Sequence, residues 1–185
     1  MTFARLVSTT AIALSLFAAP AFAAENPMVG GAAMLDTKTI VENAVNSADH
    51  TTLVAALKAA GLVDALSGAG PFTVFAPTNA AFAALPAGTV DTLLMPENKA
   101  MLIKVLTAHV VAGKMTTAQI AAKAKAAKGG FYNMETLSGD ALSAFVRGGK
   151  LYILDESGNA AEVTISDVMQ SNGVIDVVNA VLVPK

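Results

Sequence analysis

The segment from Gly70 to Phe82, GPFTVFAPTNAAF, constrains this chain more tightly than any other. Phe72, Thr73, Val74 and Phe75 are β-branched or aromatic and suit a half-buried pleated strand. Pro77 ends that strand, because proline has no N–H to give to a ladder. Thr78 or Asn79 then offers a side-chain oxygen to the unpaired amides that begin a helix over AAFAAL. A second segment, Ser171 to Pro184, reads SNGVIDVVNAVLVP. Its Asn-Gly turn and nearly continuous apolar run describe a strand buried on both faces. By alternation Val174, Asp176, Val178 and Leu182 share one face, and Ile175, Val177, Asn179 and Val181 the other. Between the two segments, LIKVLTAHVVAGKM (residues 102–115) is a helix-to-strand junction around His109.

The rest of the chain divides by period. From Asp36 the pattern is helical, with Ile40, Val41, Ala44 and Val45 on one stripe. A second helix from about Thr51 turns Leu53, Val54, Leu57 and Ala60 inward and stops at Gly61, a left-handed C′ residue. Leu62 to Leu66 reads as a short third helix. Thr89 and Pro96 mark further helix starts, and Thr116 or Thr117 caps the Ala/Lys helix that Gly129-Gly130 ends. From Phe131 the period becomes extended. Leu142 to Arg147 and Lys150 to Asp155 flank Gly148-Gly149, a two-residue hairpin signal, and Val163 to Ile165 is a further strand. Helices fill the first two thirds and strands the last third, which favours α+β over alternating βαβ units.

The first 23 residues have the form of an export signal: Arg5, a short apolar core from Thr9 to Ala19, and small residues at Ala21 and Ala23. That core is shorter than the roughly 18 apolar residues a membrane span needs, and no later segment is long and uncharged enough for one, so no membrane insertion of the mature chain is expected. Residues 24–35 (AENPMVGGAAML) read as a flexible leader, and residues 36–184 as one domain of ordinary size. The chain has no cysteine, which excludes thiol catalysis, cysteine-bound zinc and iron–sulfur clusters. A net charge of −2, with the only basic cluster at Lys123, Lys125 and Lys128 on an amphipathic helix, argues against nucleic-acid binding.

Candidate chemistry is sparse. His109 is the one histidine flanked by apolar residues, and its ring nitrogens need partners if it is buried. A structural histidine and a catalytic base both fit that demand. His50, in SADHTT, reads as exposed or capping. Asp176 in an apolar strand must be paired, hydrogen-bonded or at an edge. Neither HExxH nor GxSxG occurs. Tyr132 and Tyr152 are the only tyrosines and there is no tryptophan, so glycan stacking would involve few rings. The eight methionines suit a core or an apolar pocket equally.

In order and spacing, the three quoted segments resemble the fasciclin-like domain of extracellular adhesion proteins, from about Asp36 to Pro184. The resemblance implies an α+β fold, a β-sandwich-like wedge with a cluster of helices packed on it. It implies an exported, periplasmic, secreted or cell-surface protein that works by binding, with no catalytic residues, cofactor or metal. Its expected partner is a cell-surface or matrix protein or a polysaccharide, with the oligomeric state open. Thr73, Thr78, Asn79, His109, Gly173, Asp176 and Asn179 are the motif positions. The family often has a Tyr-His pair where this chain has Ala108-His109, a histidine at Asp176, and an aspartate at Asn179. Asp167 and Val168 match an Asp-Ile pair in the family's integrin-binding motif. The resemblance thus makes Asp167, Val168 and His109 candidate adhesion contacts, at the edge of a surface near Asn172-Gly173. Capping or edge solubility explains Asp167 as well. A binder of polysaccharide or a small apolar ligand is the alternative function, and an enzyme using His109 with a carboxylate the third.

Overall fold

A computed structural model describes residues 26–185, so the expected export signal lies outside the described residues. The described chain opens with a hairpin of β1 (Met28–Val29) and β2 (Ala32–Ala33). This corrects the expected leader. Val29 and Met34 are buried in the core, and Gly30 offers its carbonyl to Ala48. Three helices follow: α1 (Ile40–Ala44), α2 (Thr51–Ala60) and α3 (Val63–Ser67). Thr39 and Glu42 form a capping box that starts α1, and Gly61 at φ 75° ends α2.

Strand β3 (Phe72–Pro77) leads into α4 (Asn79–Ala83), α5 (Thr89–Leu94) and α6 (Lys99–Ala108), then β4 (Val110–Ala112) and α7 (Thr117–Ala126). The remainder is sheet: β5 (Tyr132–Glu135), β6 (Ala141–Arg147), β7 (Lys150–Leu154), β8 (Ala160–Gln170) and β9 (Gly173–Val178). The seven larger strands run in the order β4-β3-β9-β8-β7-β6-β5. Strands β3 and β9 pair in parallel, Phe75 opposite Asp176, and every other pairing is antiparallel. The sheet curls until its ends meet, with Val111 bridging Thr136 and the Leu137 amide donating to the Val110 carbonyl at 2.8 Å.

Two cores follow from alternation along the central strands. Val74, Ala76, Ile175 and Val177 face the helices, where they meet Leu57, Leu102 and Leu106. Phe75 and Val178 face the other way, into the wedge that α7 closes with Ile120 against Leu142, Ile153 and Ala161. The strand expected to be buried on both faces, β9, is therefore shared by the two cores, and so is β3, which the sequence pattern suggests is only half-buried. The apolar run after β9 is shorter in strand than its sequence suggests: the ladder stops at Val178, and Val181 and Leu182 pack from irregular chain.

Strand β8 is the largest departure from expectation. It is 11 residues long, where the sequence pattern suggests only Val163 to Ile165. Its register against β9 shifts twice, between Val163 and Ile165 and between Ile165 and Val168. Bulges of this kind bend a strand and re-aim its side chains.

Candidate functional site

The junction around His109 is built by the end of α6. Leu102, Val105 and Leu106 bury one stripe of that helix, which leaves the ring of its C-cap residue His109 enclosed at 2% exposure. Nδ1 donates to the Val105 carbonyl at 2.8 Å, and Nε2 accepts the Leu182 amide at 2.9 Å. A backbone amide can only donate, which fixes the Nδ1–H tautomer. Burial lowers the pKa to about 4, against the opposing pull of the Val105 carbonyl and the Asp155 charge. Asp155, which the sequence reading passed over, is also buried, and its Oδ2 accepts the Val183 amide at 2.8 Å. Together the two side chains pin consecutive amides of the C-terminal segment. With both nitrogens committed, the imidazole offers nothing to a partner or substrate in this arrangement.

His50 corrects the expectation of an exposed or capping residue. It is 3% exposed, makes no side-chain cap, and its Nδ1 lies 2.8 Å from Ser47 Oγ. Burial lowers its pKa, while the Ala76 carbonyl and the Asp49 charge act in the opposite sense. It borders an enclosed apolar cavity of about 30 Å³ between the helices and the sheet, lined also by Val29, Leu57, Leu106 and Val168. That is room for about one water molecule.

The β8 bulge places Asp167 and Val168 differently from an exposed binding edge. Val168 is fully buried in the helix-side core, because β8 continues through this point and alternation turns the residue inward. Asp167 is half-buried with φ 57°. Its Oδ1 accepts the Thr117 amide at 2.7 Å and its Oδ2 the Thr117 hydroxyl at 2.6 Å, at the N-terminus of α7. Its own amide donates to Asp176 Oδ1 at 2.8 Å. Asp176 is fully buried, and its Oδ2 has no hydrogen-bond partner among the described residues. Burial raises the Asp176 pKa to about 7; the Asp167 amide opposes that rise and the Asp167 charge adds to it. The demand that Asp176 be hydrogen-bonded is thus half met.

The remaining motif residues hold the fold's joints. Thr73 Oγ1 donates to the Gly113 carbonyl at 2.6 Å and accepts the Met115 amide at 3.0 Å. Thr78 is the cap of α4, accepting the Ala81 amide. Asn79 Oδ1 accepts the Thr52 amide at 3.0 Å while its Nδ2 donates to the Ala48 carbonyl, tying α4 to the start of α2. A β-carbon on Gly173 would run into the Phe72 carbonyl oxygen, so only glycine fits there. Asn179 Oδ1 accepts the Glu162 amide at 2.8 Å. These contacts are with the protein's own backbone.

One surface that remains open is the outer face of β5 to β8. Every second residue of β6 and β7 is at least partly exposed there. Phe131, Phe145 and Tyr152 form a row across it: Phe131 and Phe145 are tilted with centroids 5.4 Å apart, Phe145 and Tyr152 stacked at 5.3 Å. Beside Tyr152, Glu162 accepts from Lys150 Nζ at 2.6 Å and from the Tyr152 hydroxyl at 3.1 Å. The sequence signal for this row was the Gly148-Gly149 hairpin, which places Phe145 opposite Tyr152.

Known proteins bear on these observations. Residues 48–184 match the family model described as Fasciclin domain. The chain is 46% identical over 190 residues to Protein sll1483 of Synechocystis, covering 99% of this chain and 98% of that protein. It is 35% identical over 170 residues to the immunogenic protein MPB70 of Mycobacterium bovis, covering 88% of this chain and 78% of that one. A solved domain pair from the insect cell adhesion molecule fasciclin I shares the fold, with a TM-score of 0.70 at 18% identity. That likeness covers 78% of this chain and 50% of the pair.

Proposed function

This chain belongs to the fasciclin domain family, and on that premise we propose that it is an exported adhesion or matrix-interaction module that binds a surface partner without transforming it. The observation that carries this reading is the open row of rings on the outer face of β5 to β8. Aromatic side chains supply large contact area at low entropic cost, which is why they are enriched at binding surfaces. Support also comes from the polar side chains of the motif positions and their neighbours: the buried His109 and Asp155, the half-buried Asp167 and the exposed Asn179 are each engaged with backbone amides. The adhesion molecule that shares the fold is consistent with the same use. No helix among the described residues is long and apolar enough to cross a membrane.

The proposed partner is a cell-surface or matrix component met by the sheet's outer face. Asp167 and Val168 serve that surface indirectly, by fixing the bend of β8 and the start of α7. Beads coated with the purified protein should attach to cells of the producing organism above beads coated with an unrelated domain of similar charge. Phe145→Ser should reduce that attachment. Attachment equal to the control would overturn the reading.

A further inference from the structure

We propose that the cleft beside the β6–β7 turn binds an acidic sugar residue of a polysaccharide, with Phe145 and Tyr152 forming its apolar wall and Arg147 holding the sugar carboxylate. The cleft has a volume of about 400 Å³ and is lined by Phe145, Arg147, Gly148, Lys150, Tyr152 and Ala160. A sugar ring presents C–H groups on its faces and hydroxyls around its rim. The stacked pair Phe145–Tyr152 matches the first. Tyr152, Lys150 and Glu162, already joined by hydrogen bonds, match the second with donors and an acceptor at the rim.

Charge chooses between neutral and acidic sugars. Lys150 is paired with Glu162, whereas Arg147, opposite Lys150 in the ladder, has no ion pair or side-chain hydrogen bond among the described residues. The cleft therefore keeps one unspent cation on a chain whose net charge is −2. A guanidinium presents a planar fork that fits a carboxylate with two parallel hydrogen bonds. The turn leaves the mouth open. Gly148 and Gly149 stand at φ 59° and 81°, and a β-carbon built on either would meet no atom within 4 Å.

An acidic polypeptide is the competing occupant, and the position of the cleft disfavours it. Extended peptides are commonly taken up by adding a strand to a sheet edge. Strands β6 and β7 are interior to the sheet, with neighbours on both sides. Recognition here has only side chains to use, and rings beside a cationic fork suit a uronic acid.

The assignment rests on the binding-module reading above, and the experiment separates the two. Affinity electrophoresis of the purified protein through gels containing polygalacturonate, methyl-esterified polygalacturonate or polyglutamate reads the preference directly. Polygalacturonate should retard the protein most. Arg147→Gln and Tyr152→Ala should each weaken that retardation at least tenfold, and Arg147→Lys should fall between Arg147→Gln and the parent. Unfolding midpoints identify any variant that fails to fold. Since Arg147 is exposed, Arg147→Gln and Arg147→Lys supply the test if Tyr152→Ala does not. Equal retardation by the esterified polymer overturns the acidic-sugar assignment. Equal retardation by polyglutamate, or no change in Arg147→Gln, overturns the cleft as a sugar site. Bead attachment that persists without polygalacturonate binding leaves the broader reading standing and removes the sugar.

Discussion

Burial displaces the pKa values of Asp176 and His109 in opposite senses, raising the first and lowering the second. Asp176, with an ordinary value of 3.8 and about 7 in the fold, binds its proton more tightly when native. Its effect on stability is therefore most favourable in acid and is lost as pH rises from about 4 to about 7. His109, with an ordinary value of 6.5 and about 4 in the fold, binds its proton more weakly when native. Its contribution is complete above about 6.5 and is lost as pH falls toward 4. The two slopes oppose each other over most of that interval. Asp176→Asn should thus leave a protein whose stability rises between pH 4 and 6.5, and which at pH 8 is more stable than the parent. Urea midpoints at pH 4.5, 6 and 8 measure this; a variant profile parallel to the parent's would mean that Asp176 is ionised in the native state. His109→Ala should cost about 2–4 kcal/mol through two lost hydrogen bonds and the vacated ring volume. A midpoint within error of the parent would remove His109 from the fold's supports. His109 was legible because apolar neighbours flank it in sequence. His50 was not: its neighbours are polar, and its burial comes from the β1–β2 hairpin laid over Ala48. Asp155 gave no signal at all, since it accepts from an amide 28 residues away and side-chain periodicity says nothing about such partners.

Among elements, β8 and α7 form one unit. The bulge at Asp167 gives up regular pairing, and the carboxylate made available by that bend engages Thr117 at the helix start. Anionic side chains are favoured at a helix N-terminus, so the contact both caps and orients α7. Asp167→Ala should lower stability by about 1–3 kcal/mol, by removing two hydrogen bonds to a charged group and placing alanine at positive φ. Asp167→Asn, which tolerates that backbone, should lose less. Unchanged stability together with lost attachment would instead return Asp167 to the binding surface. Hairpins and caps were readable in this region because local chemistry sets them: Gly148-Gly149 joins β6 to β7 as expected, and Thr78 caps α4. The length of β8 was not. A strand that changes register twice breaks the period of two, so Ser166-Asp167 resembled a strand end, and Val168 an exposed neighbour, when the chain was only bending.

At the scale of the whole molecule, the α+β assignment and the fasciclin-like layout were legible because β3, the His109 junction and β9 are the elements shared by both cores. The covering pieces were not. Val29 and Met34 enter the core from a stretch whose glycines and small residues look like a loose leader. Export belongs to this scale too. The exported protein should begin at Ala24, and its intact mass decides the matter; a species outside the cell that still carries Met1 to Ala23 would refute cleavage there. One more consequence comes from the way the sheet ends. Proteins gathered densely at a surface risk pairing through exposed strand edges, where rows of unpaired amides and carbonyls recruit a neighbour's strand. Here the terminal strands have only three and four residues and meet through Val111 and Thr136. Crowded copies of this molecule therefore meet short, mutually occupied ends of the main sheet in place of a long free edge, which leaves a dense layer of them little from which to seed fibres.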